Sequence, residues 1–199
     1  MADNTDLLQQ INNYGRANNV PIILDASLPL LCSKIREQGA KRILEIGTAI
    51  GYSAIAMASE CQVEHITTLE LDPKRFAIAQ QNIAKSNLNG IIEAINIDAM
   101  QYLQSCDQKF DFIFLDGPKG QYIHYLPHLK RILNDCGQIF ADNVYFKGMV
   151  NGKIPVSKGV KTMINNLRAY LTAVTTDPEL KTTVFDTGDG VAISQKIKN

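Results

Sequence analysis

The stretch RILEIGTAIGYS, residues 42–53, contains the pattern that decides the fold. Residues 42–47 predict a β-strand that is apolar on both faces, and the glycines predict a tight turn into a helix. Gly47 allows the sharp turn, and Gly51 allows the helix to pack close to a ligand. The helix start offers unpaired N–H groups to a polar ligand. Taken alone, the pattern is weak evidence, because a tight turn that binds nothing also fits it.

Six further strand candidates alternate with stretches that are long enough for helices. They are residues 65–71, 91–97, 110–116, 138–142, 181–186 and 191–196. Strands that alternate with helices predict a doubly wound, mostly parallel α/β sheet. The tetrapeptide TGDG at 187–190 separates the last two candidates, which predicts an antiparallel hairpin at the end of the chain.

Helix signals are clearest at residues 73–88. Asp72 can cap the start, Pro73 suits the first helical position, and Asn89-Gly90 can end the helix. Two more helices, about 6–16 and 27–38, are expected before the first strand.

The composition is typical of one globular domain. The chain has 199 residues, with 20 Lys and Arg against 20 Asp and Glu. We interpret residues 1–199 as a single domain in which 1–40 form a helical cap. No run approaches the ~18 apolar residues of a membrane span, and the N-terminus lacks a secretory pattern, so no membrane is expected. Four widely spaced cysteines favour a reducing cytoplasm over a zinc or disulfide framework.

Two acids at later strand ends predict a site for an adenosine-containing ligand. Glu70 ends the second strand candidate, where a carboxylate can accept both ribose hydroxyls. Asp98 follows the third candidate and is placed to reach adenine. Either acid could instead cap the next helix. Ligand binding is favoured because open α/β sheets bind ligands at the carboxyl ends of their strands. Ala49 replaces the glycine that admits a dinucleotide's pyrophosphate, which disfavours an NAD enzyme.

The next two strand candidates end in residues that suit a metal. Asp116 ends the fourth and Asp142-Asn143 end the fifth. Two carboxylates and an amide oxygen are hard ligands that fit Mg²⁺ or another divalent cation. Each acid could otherwise cap a loop. Lys119 is close enough to Asp116 to act on a bound substrate as a general base, the alternative being a surface lysine.

The segments EIGTAIGYS, LELDP, DFIFLDGPKGQY and FADNV together resemble the metal-dependent O-methyltransferase family, which includes catechol and caffeoyl-CoA O-methyltransferases. The resemblance covers about residues 20–196. It implies a class I methyltransferase fold, Rossmann-like with seven strands and an antiparallel last strand. It also implies S-adenosylmethionine as the cofactor. The glycine loop of that family is ExGxxxGYS, so Ala49 is no departure from it.

The resemblance implies roles for individual residues as well. Ile23 covers the cofactor, and Glu45 orients its methionine amino group through water. The implied cofactor contacts are Ile23, Glu45, Gly47, Tyr52, Ser53, Glu70, Asp98, Ala99 and Asp116. The implied metal ligands are Asp116, Asp142 and Asn143, and the implied catalytic residues are Lys119 and Asp116.

Within the family, DGPKGQY followed by DNVYFKGMV most resembles the bacterial tRNA 5-hydroxyuridine methyltransferases, which make 5-methoxyuridine at the wobble position. This resemblance implies the tRNA anticodon region as a partner and a homodimer as the assembly. The segment after Asn143 is shorter than the family pattern, so the substrate loop is the part of the match that is most in doubt.

The charge pattern favours a nucleic acid independently. Residues 117–176 contain eight Lys and Arg but only two acids, as phosphate contacts require. We predict substrate contacts at Lys147, Lys153 and Lys158, the alternative being a solvated face. Aromatic residues nearby could stack on a base or pack in the core. These are Tyr122, Tyr125, Tyr145 and Phe146. A small catechol-type diol is the alternative substrate, and a non-catalytic cofactor- or RNA-binding module is the alternative function.

Overall fold

The computed structural model describes residues 4–198. Seven strands form one sheet in the order β3-β2-β1-β4-β5-β7-β6. They are β1 (Arg42–Ile46), β2 (His65–Glu70), β3 (Ile92–Asn96), β4 (Phe110–Leu115), β5 (Leu133–Ala141), β6 (Leu180–Phe185) and β7 (Val191–Lys196). Strands β1 to β5 pair in parallel. Strand β7 is antiparallel to both of its neighbours, which confirms the predicted fold class and the closing hairpin.

Helices cover both faces of the sheet. They are α1 (Thr5–Ala17), α2 (Leu28–Gln38), α3 (Tyr52–Glu60), α4 (Pro73–Ser86), α5 (Ala99–Ser105), α6 (Tyr122–Ile132) and α7 (Lys161–Thr176). Consecutive residues of a strand point to opposite faces, so Ile43 packs with α1 to α4 whereas Leu44 packs with α5 to α7. The sheet is therefore buried between two apolar clusters.

Two element boundaries differ from those predicted. Helix α4 ends at Ser86 rather than near residue 88, because Asn87 adopts a left-handed conformation with φ 59°. Asparagine tolerates that conformation better than most residues. Strand β5 begins at Leu133 rather than 138, and its register with β4 shifts between Phe110 and Phe112. The polar sequence NDCG inside β5 concealed its first half.

No helix within residues 4–198 is both long enough and apolar enough to cross a membrane.

The parallel topology places the carboxyl ends of β1 to β5 along one edge of the sheet. Glu70 is the last residue of β2, whereas Gly47, Asp98, Asp116 and Asp142 each come shortly after a strand. The acids that the sequence singled out therefore share one edge.

Candidate active site

A cavity of about 360 Å³ opens at this edge of the sheet. Its wall comes from the loops that follow β1 to β5 and from the segment before α2. Seven residues assigned from the sequence line it: Gly47, Glu70, Asp98, Ala99, Asp116, Lys119 and Asn143. Residues predicted for the cofactor and residues predicted for the metal thus meet at one opening.

Gly47 lets the loop after β1 contact the end of β4. Its φ is 108°, and a Cβ atom at this position would lie 2.6 Å from the carbonyl oxygen of Asp116. No side chain fits in that space. Gly51 has a φ of 86° and is the N-cap of α3. The spacing of the two glycines is therefore required by the turn itself.

Glu70 is held by three donors of the protein. Its Oε2 accepts a hydrogen bond from the backbone nitrogen of Ala49 at 2.8 Å. Its Oε1 accepts from the backbone nitrogen of Asp72 at 2.9 Å and lies 3.0 Å from Nη2 of Arg75. A carboxylate has about four lone-pair directions, so about one is left for a ribose hydroxyl, and a second hydroxyl would have to replace the Arg75 contact. Its orientation is fixed in the absence of a ligand.

Asp98 caps a helix and lines the cavity. Its Oδ1 accepts a hydrogen bond from the backbone nitrogen of Gln101 at 3.1 Å, as the N-cap of α5. The capping interpretation is thereby confirmed. Contact with adenine stays a prediction, supported by the position of Asp98 and Ala99 in the cavity wall.

Glu45, Tyr52 and Ser53 lie beneath the cavity wall rather than in it. Glu45 is fully buried and accepts hydrogen bonds from Ser53 Oγ at 2.5 Å and from the hydroxyl of Thr68. Burial raises the pKa of the Glu45 carboxyl to about 7, although both hydrogen bonds lower it. The hydroxyl of Tyr52 accepts from Asn12 Nδ2 at 3.2 Å. Contact of these residues with the methionine end of a cofactor stays a prediction.

The N-terminal segment contributes Pro21 and Ile22 to the cavity wall. Ile22 and Ile23 both pack in the apolar cluster with α1 to α4. Ile23 is 2% exposed and is not part of the wall. Contact of Ile23 with a cofactor stays a prediction.

Lys119 forms a close ion pair with Asp116. Its Nζ lies 2.5 Å from Asp116 Oδ1, and both side chains are less than one sixth exposed. The same nitrogen donates to the hydroxyl of Tyr122 at 2.9 Å. Lys119 is therefore fixed beside the cavity rather than extended into solvent, which disfavours the surface alternative.

Asp142 is a fully buried acid with one unpaired oxygen. Its Oδ1 accepts from Ser27 Oγ at 3.2 Å and from the backbone nitrogen of Asn143 at 2.9 Å. Its Oδ2 is buried with no hydrogen-bond partner among residues 4–198. Burial, with the nearby Asp116 carboxylate, raises the pKa of Asp142 to about 6.

This donor set fits a divalent cation. A buried oxygen without a partner is unfavourable in a folded protein, and a cation would satisfy Asp142 Oδ2. Asp116 and Asn143 line the adjoining cavity with hard oxygen atoms of the kind that Mg²⁺ prefers. Within residues 4–198 no three His, Cys, Asp or Glu side chains come together, so the predicted set of two carboxylates and one amide is the one to test.

The three lysines assigned to the substrate lie outside the cavity wall. Lys147 and Lys158 are exposed. Lys153 lies 3.6 Å from Asp186 Oδ2, so part of its charge is neutralised. Other cations of residues 117–176 also have acidic partners, including Lys130 with Asp177. Residues 117–176 therefore have fewer positive side chains without an acidic partner than the sequence indicated.

The predicted stacking aromatics differ in position. Tyr122 is 0% exposed and lies in the core, outside the cavity wall. Tyr125 is 2% exposed and forms part of the cavity wall, whereas Tyr145 and Phe146 are partly exposed. The core alternative is therefore correct for Tyr122, and stacking stays a prediction for the other three.

The sequence did not indicate Ser27 or Arg75 as residues of the site, nor the contact of Tyr122 with Lys119. Arg75 and Tyr122 each lie three residues after a residue that was singled out, Asp72 and Lys119, and that spacing on a helix brings side chains together. Helical spacing could therefore have indicated both. Ser27 is 115 residues from Asp142 in the sequence, and no local pattern connects them.

Comparison with known proteins agrees with this geometry. Residues 12–197 match the model of a family described as O-methyltransferase. The chain belongs to this family. A Staphylococcus aureus protein provisionally assigned as a caffeoyl-CoA O-methyltransferase has a crystal structure that is 31% identical, with a TM-score of 0.88 over 95% of this chain and 91% of that one. The O-methyltransferase of Bacillus cereus, solved in complex with S-adenosylhomocysteine (SAH), is 26% identical, with a TM-score of 0.83 over 96% and 90%.

Curated relatives point to the same class. The catechol O-methyltransferase of Niastella koreensis is 35% identical over 61% of this chain and 59% of its own length. The caffeoyl-CoA O-methyltransferase of Populus kitakamiensis is 26% identical over 92% and 81%. The prediction of an S-adenosylmethionine-dependent O-methyltransferase of the caffeoyl-CoA and catechol type is confirmed at this level.

Proposed function

We propose that this O-methyltransferase uses a divalent cation, Mg²⁺ by expectation, and methylates the 5-hydroxyl of 5-hydroxyuridine in tRNA. The observation that carries the chemistry is a cavity whose wall contains the Asp116–Lys119 pair and Asn143, the neighbour in sequence of Asp142 with its buried, unpaired oxygen. The choice of acceptor is supported by the resemblance to the tRNA enzymes and by the exposed lysines near the opening.

The cofactor would be held by the ends of β1 to β3. Glu70 would accept the ribose hydroxyls, because its carboxylate lines the cavity with about one lone-pair direction free and a second released when a hydroxyl replaces the Arg75 contact. Asp98 would accept from the adenine amino group while it continues to cap α5. Glu45, ionised, would attract the methionine ammonium group from below the glycine loop.

The cation would be held by Asp116, Asp142 and Asn143. When bound, a divalent cation supplies positive charge that favours ionisation of the acceptor hydroxyl. The 4-oxo and 5-hydroxyl groups of 5-hydroxyuridine are adjacent oxygens, as in a diol, so such an acceptor presents two oxygens on one side.

Lys119 would remove the proton of the acceptor hydroxyl. Its Nζ must first be neutral, after which it takes the proton as the oxygen attacks the sulfonium methyl group. The new bond joins the acceptor oxygen to the methyl carbon, and the carbon–sulfur bond breaks with its electron pair left on sulfur. The products are the methyl ether and S-adenosylhomocysteine. Positioning of the two reactants can supply ~7–11 kcal/mol, more than a general base alone.

A small catechol-type diol is the second candidate acceptor. It is favoured by the 35% identity to the Niastella koreensis catechol O-methyltransferase and by the partial neutralisation of Lys153. The homodimer and the cytoplasmic location stay predictions.

Turnover on two acceptors tests the proposal. We expect the purified protein to methylate 5-hydroxyuridine in tRNA much faster than catechol, with tRNA turnover falling steeply as salt rises, because counterions are released on binding. Reversal of Lys147, Lys153 and Lys158 to Glu should raise KM for tRNA at least about tenfold and leave KM for catechol unchanged.

A control triple variant separates local from general charge effects. Lys41, Lys109 and Lys181 lie at or near the amino ends of β1, β4 and β6, at the opposite edge of the sheet. Their reversal to Glu changes net charge equally and should leave KM for tRNA within about twofold. Faster turnover of catechol, or equal effects of the two triple variants, contradicts the tRNA assignment.

A further inference from the structure

Tyr122 contacts the acceptor half of the site, which is formed by the ends of β4 and β5, and the proposed reaction gives it no role. It is the first residue of α6 and is fully buried. Its hydroxyl lies 2.9 Å from Lys119 Nζ, 2.9 Å from the carbonyl oxygen of Leu115 and 3.3 Å from that of Asp142. One phenol therefore joins the lysine to the ends of β4 and β5.

The direction of these hydrogen bonds follows from the atoms involved. A phenol has one proton to donate and can also accept. The two carbonyl oxygens can only accept, so the Tyr122 proton goes to one of them, the nearer being Leu115. The hydroxyl oxygen must then accept from Lys119 Nζ, whose second close partner is Asp116 Oδ1 at 2.5 Å.

These contacts determine where the lone pair of a neutral Lys119 would point. A neutral amine has two N–H bonds and one lone pair. If one N–H points to Tyr122 and the other to Asp116, both of those directions are occupied. The lone pair must then point away from Tyr122 and Asp116. The Lys119 side chain forms part of the cavity wall.

We propose that Tyr122 is a positioning residue that orients the Lys119 amine so that its lone pair faces the acceptor hydroxyl in the cavity. The proposal rests on the proposed function, in which Lys119 is the general base. Tyr122 is not part of the cavity wall and acts through the lysine.

A neighbouring tyrosine shows that burial alone does not require such contacts. Tyr170 is also fully buried, and its ring packs edge-on against Tyr122 with centroids 5.5 Å apart. Its hydroxyl has no hydrogen-bond partner within residues 4–198. The two tyrosines share burial and surroundings and differ in what the hydroxyl binds, so Tyr170→Phe is a matched control for Tyr122→Phe.

The first measurement is steady-state kinetics of both variants, with 5-hydroxyuridine-containing tRNA and with catechol. Tyr122→Phe should lower kcat about 10- to 100-fold, part of what general-base catalysis contributes, while KM for S-adenosylmethionine and for the acceptor stays within about twofold. Tyr170→Phe should keep kcat within about twofold. Equal kcat values for the two variants would overturn the proposal.

The second measurement repeats Tyr122→Phe in a Lys119→Met background, under single-turnover conditions with enzyme in excess so that slow rates are measurable. Tyr122→Phe should then cause no further loss, because the lysine that it positions is absent. A further loss of the original size would show that Tyr122 acts independently of Lys119 and would overturn the proposal. Wild-type activity of Lys119→Met alone would instead refute the assignment of Lys119 as general base. Failure of the proposed function can therefore be distinguished from failure of the Tyr122 proposal.

Discussion

The two halves of the opening differ in how their acids are paired. In the cofactor half, at the ends of β1 to β3, both oxygens of Glu70 accept hydrogen bonds from backbone nitrogens, and Arg75 adds an ion pair. In the acceptor half, at the ends of β4 and β5, Asp142 is equally buried, yet its Oδ2 has no partner within residues 4–198.

The difference indicates what each half needs from outside the protein. A buried polar atom left unpaired costs roughly 1–3 kcal/mol. The cofactor half avoids that cost with its own backbone, so it is organised before a ligand arrives. The acceptor half carries the cost at Asp142 until a cation or a proton relieves it. We therefore infer that cofactor binding depends little on metal, whereas methyl transfer depends on it strongly.

The largest expected effect comes from removal of the unpaired acid. Asp142→Ala should reduce methyl transfer about a thousandfold or more, since a catalytic cation supplies several kcal/mol and each ~1.4 kcal/mol is tenfold in rate. Cofactor affinity should stay within about threefold, because no cofactor contact is removed. Turnover assays beside calorimetry measure both quantities.

Asp135→Ala is the matched control for that change. Asp135 is an exposed acid near the start of β5, the strand that Asp142 directly follows, and its removal should alter neither quantity. Full activity of Asp142→Ala in the presence of a chelator contradicts a metal role.

A smaller effect is expected in the cofactor half. Glu70→Ala should weaken S-adenosylmethionine binding by ~2–3 kcal/mol, the scale for hydrogen bonds to a charged group. Glu64→Ala removes an exposed acid just before the same strand, at its amino end, and should leave affinity unchanged. An unchanged dissociation constant for Glu70→Ala would assign Glu70 to loop and helix structure alone.

The smallest expected effect is a pH dependence of cofactor binding. Burial raises the pKa of Glu45 to about 7, above its ordinary value, so Glu45 is protonated in the free protein below that pH. The cofactor ammonium favours the ionised form. Binding at low pH must therefore release the proton, and affinity should fall as pH drops through 7, about tenfold at pH 6.

Glu45→Gln removes the titrating group. Affinity of this variant should be flat between pH 6 and 7.5, which calorimetry at several pH values can measure. The same slope in the variant and in the wild type would place the titration on another group.

Much of the fold could be predicted because most strands are marked by short apolar segments with turn residues beside them. Residues 42–53 carry the apolar strand and the glycines that the turn requires, and that element forms as expected. The start of β5 was missed because residues 134–137 lie in an irregularity between the pairs Phe110–Leu133 and Phe112–Gln138, which depends on the neighbouring strand and not on local pattern.

The site could be predicted in part, for a related reason. Residues at strand ends converge by topology, so Glu70, Asp98 and Asp116 were placed correctly. The pairing of Ser27 with Asp142 and the neutralisation of Lys153 depend on contacts between distant segments.

The most direct test of the difference between the two halves is cofactor calorimetry with and without metal. S-adenosylmethionine is titrated into the wild-type protein in EDTA and again in Mg²⁺, and methyl transfer to the acceptor is assayed in the same two buffers. We expect dissociation constants within about threefold of each other, together with loss of turnover in EDTA that Mg²⁺ restores. Loss of cofactor binding in EDTA, or turnover that EDTA does not change, would contradict the account.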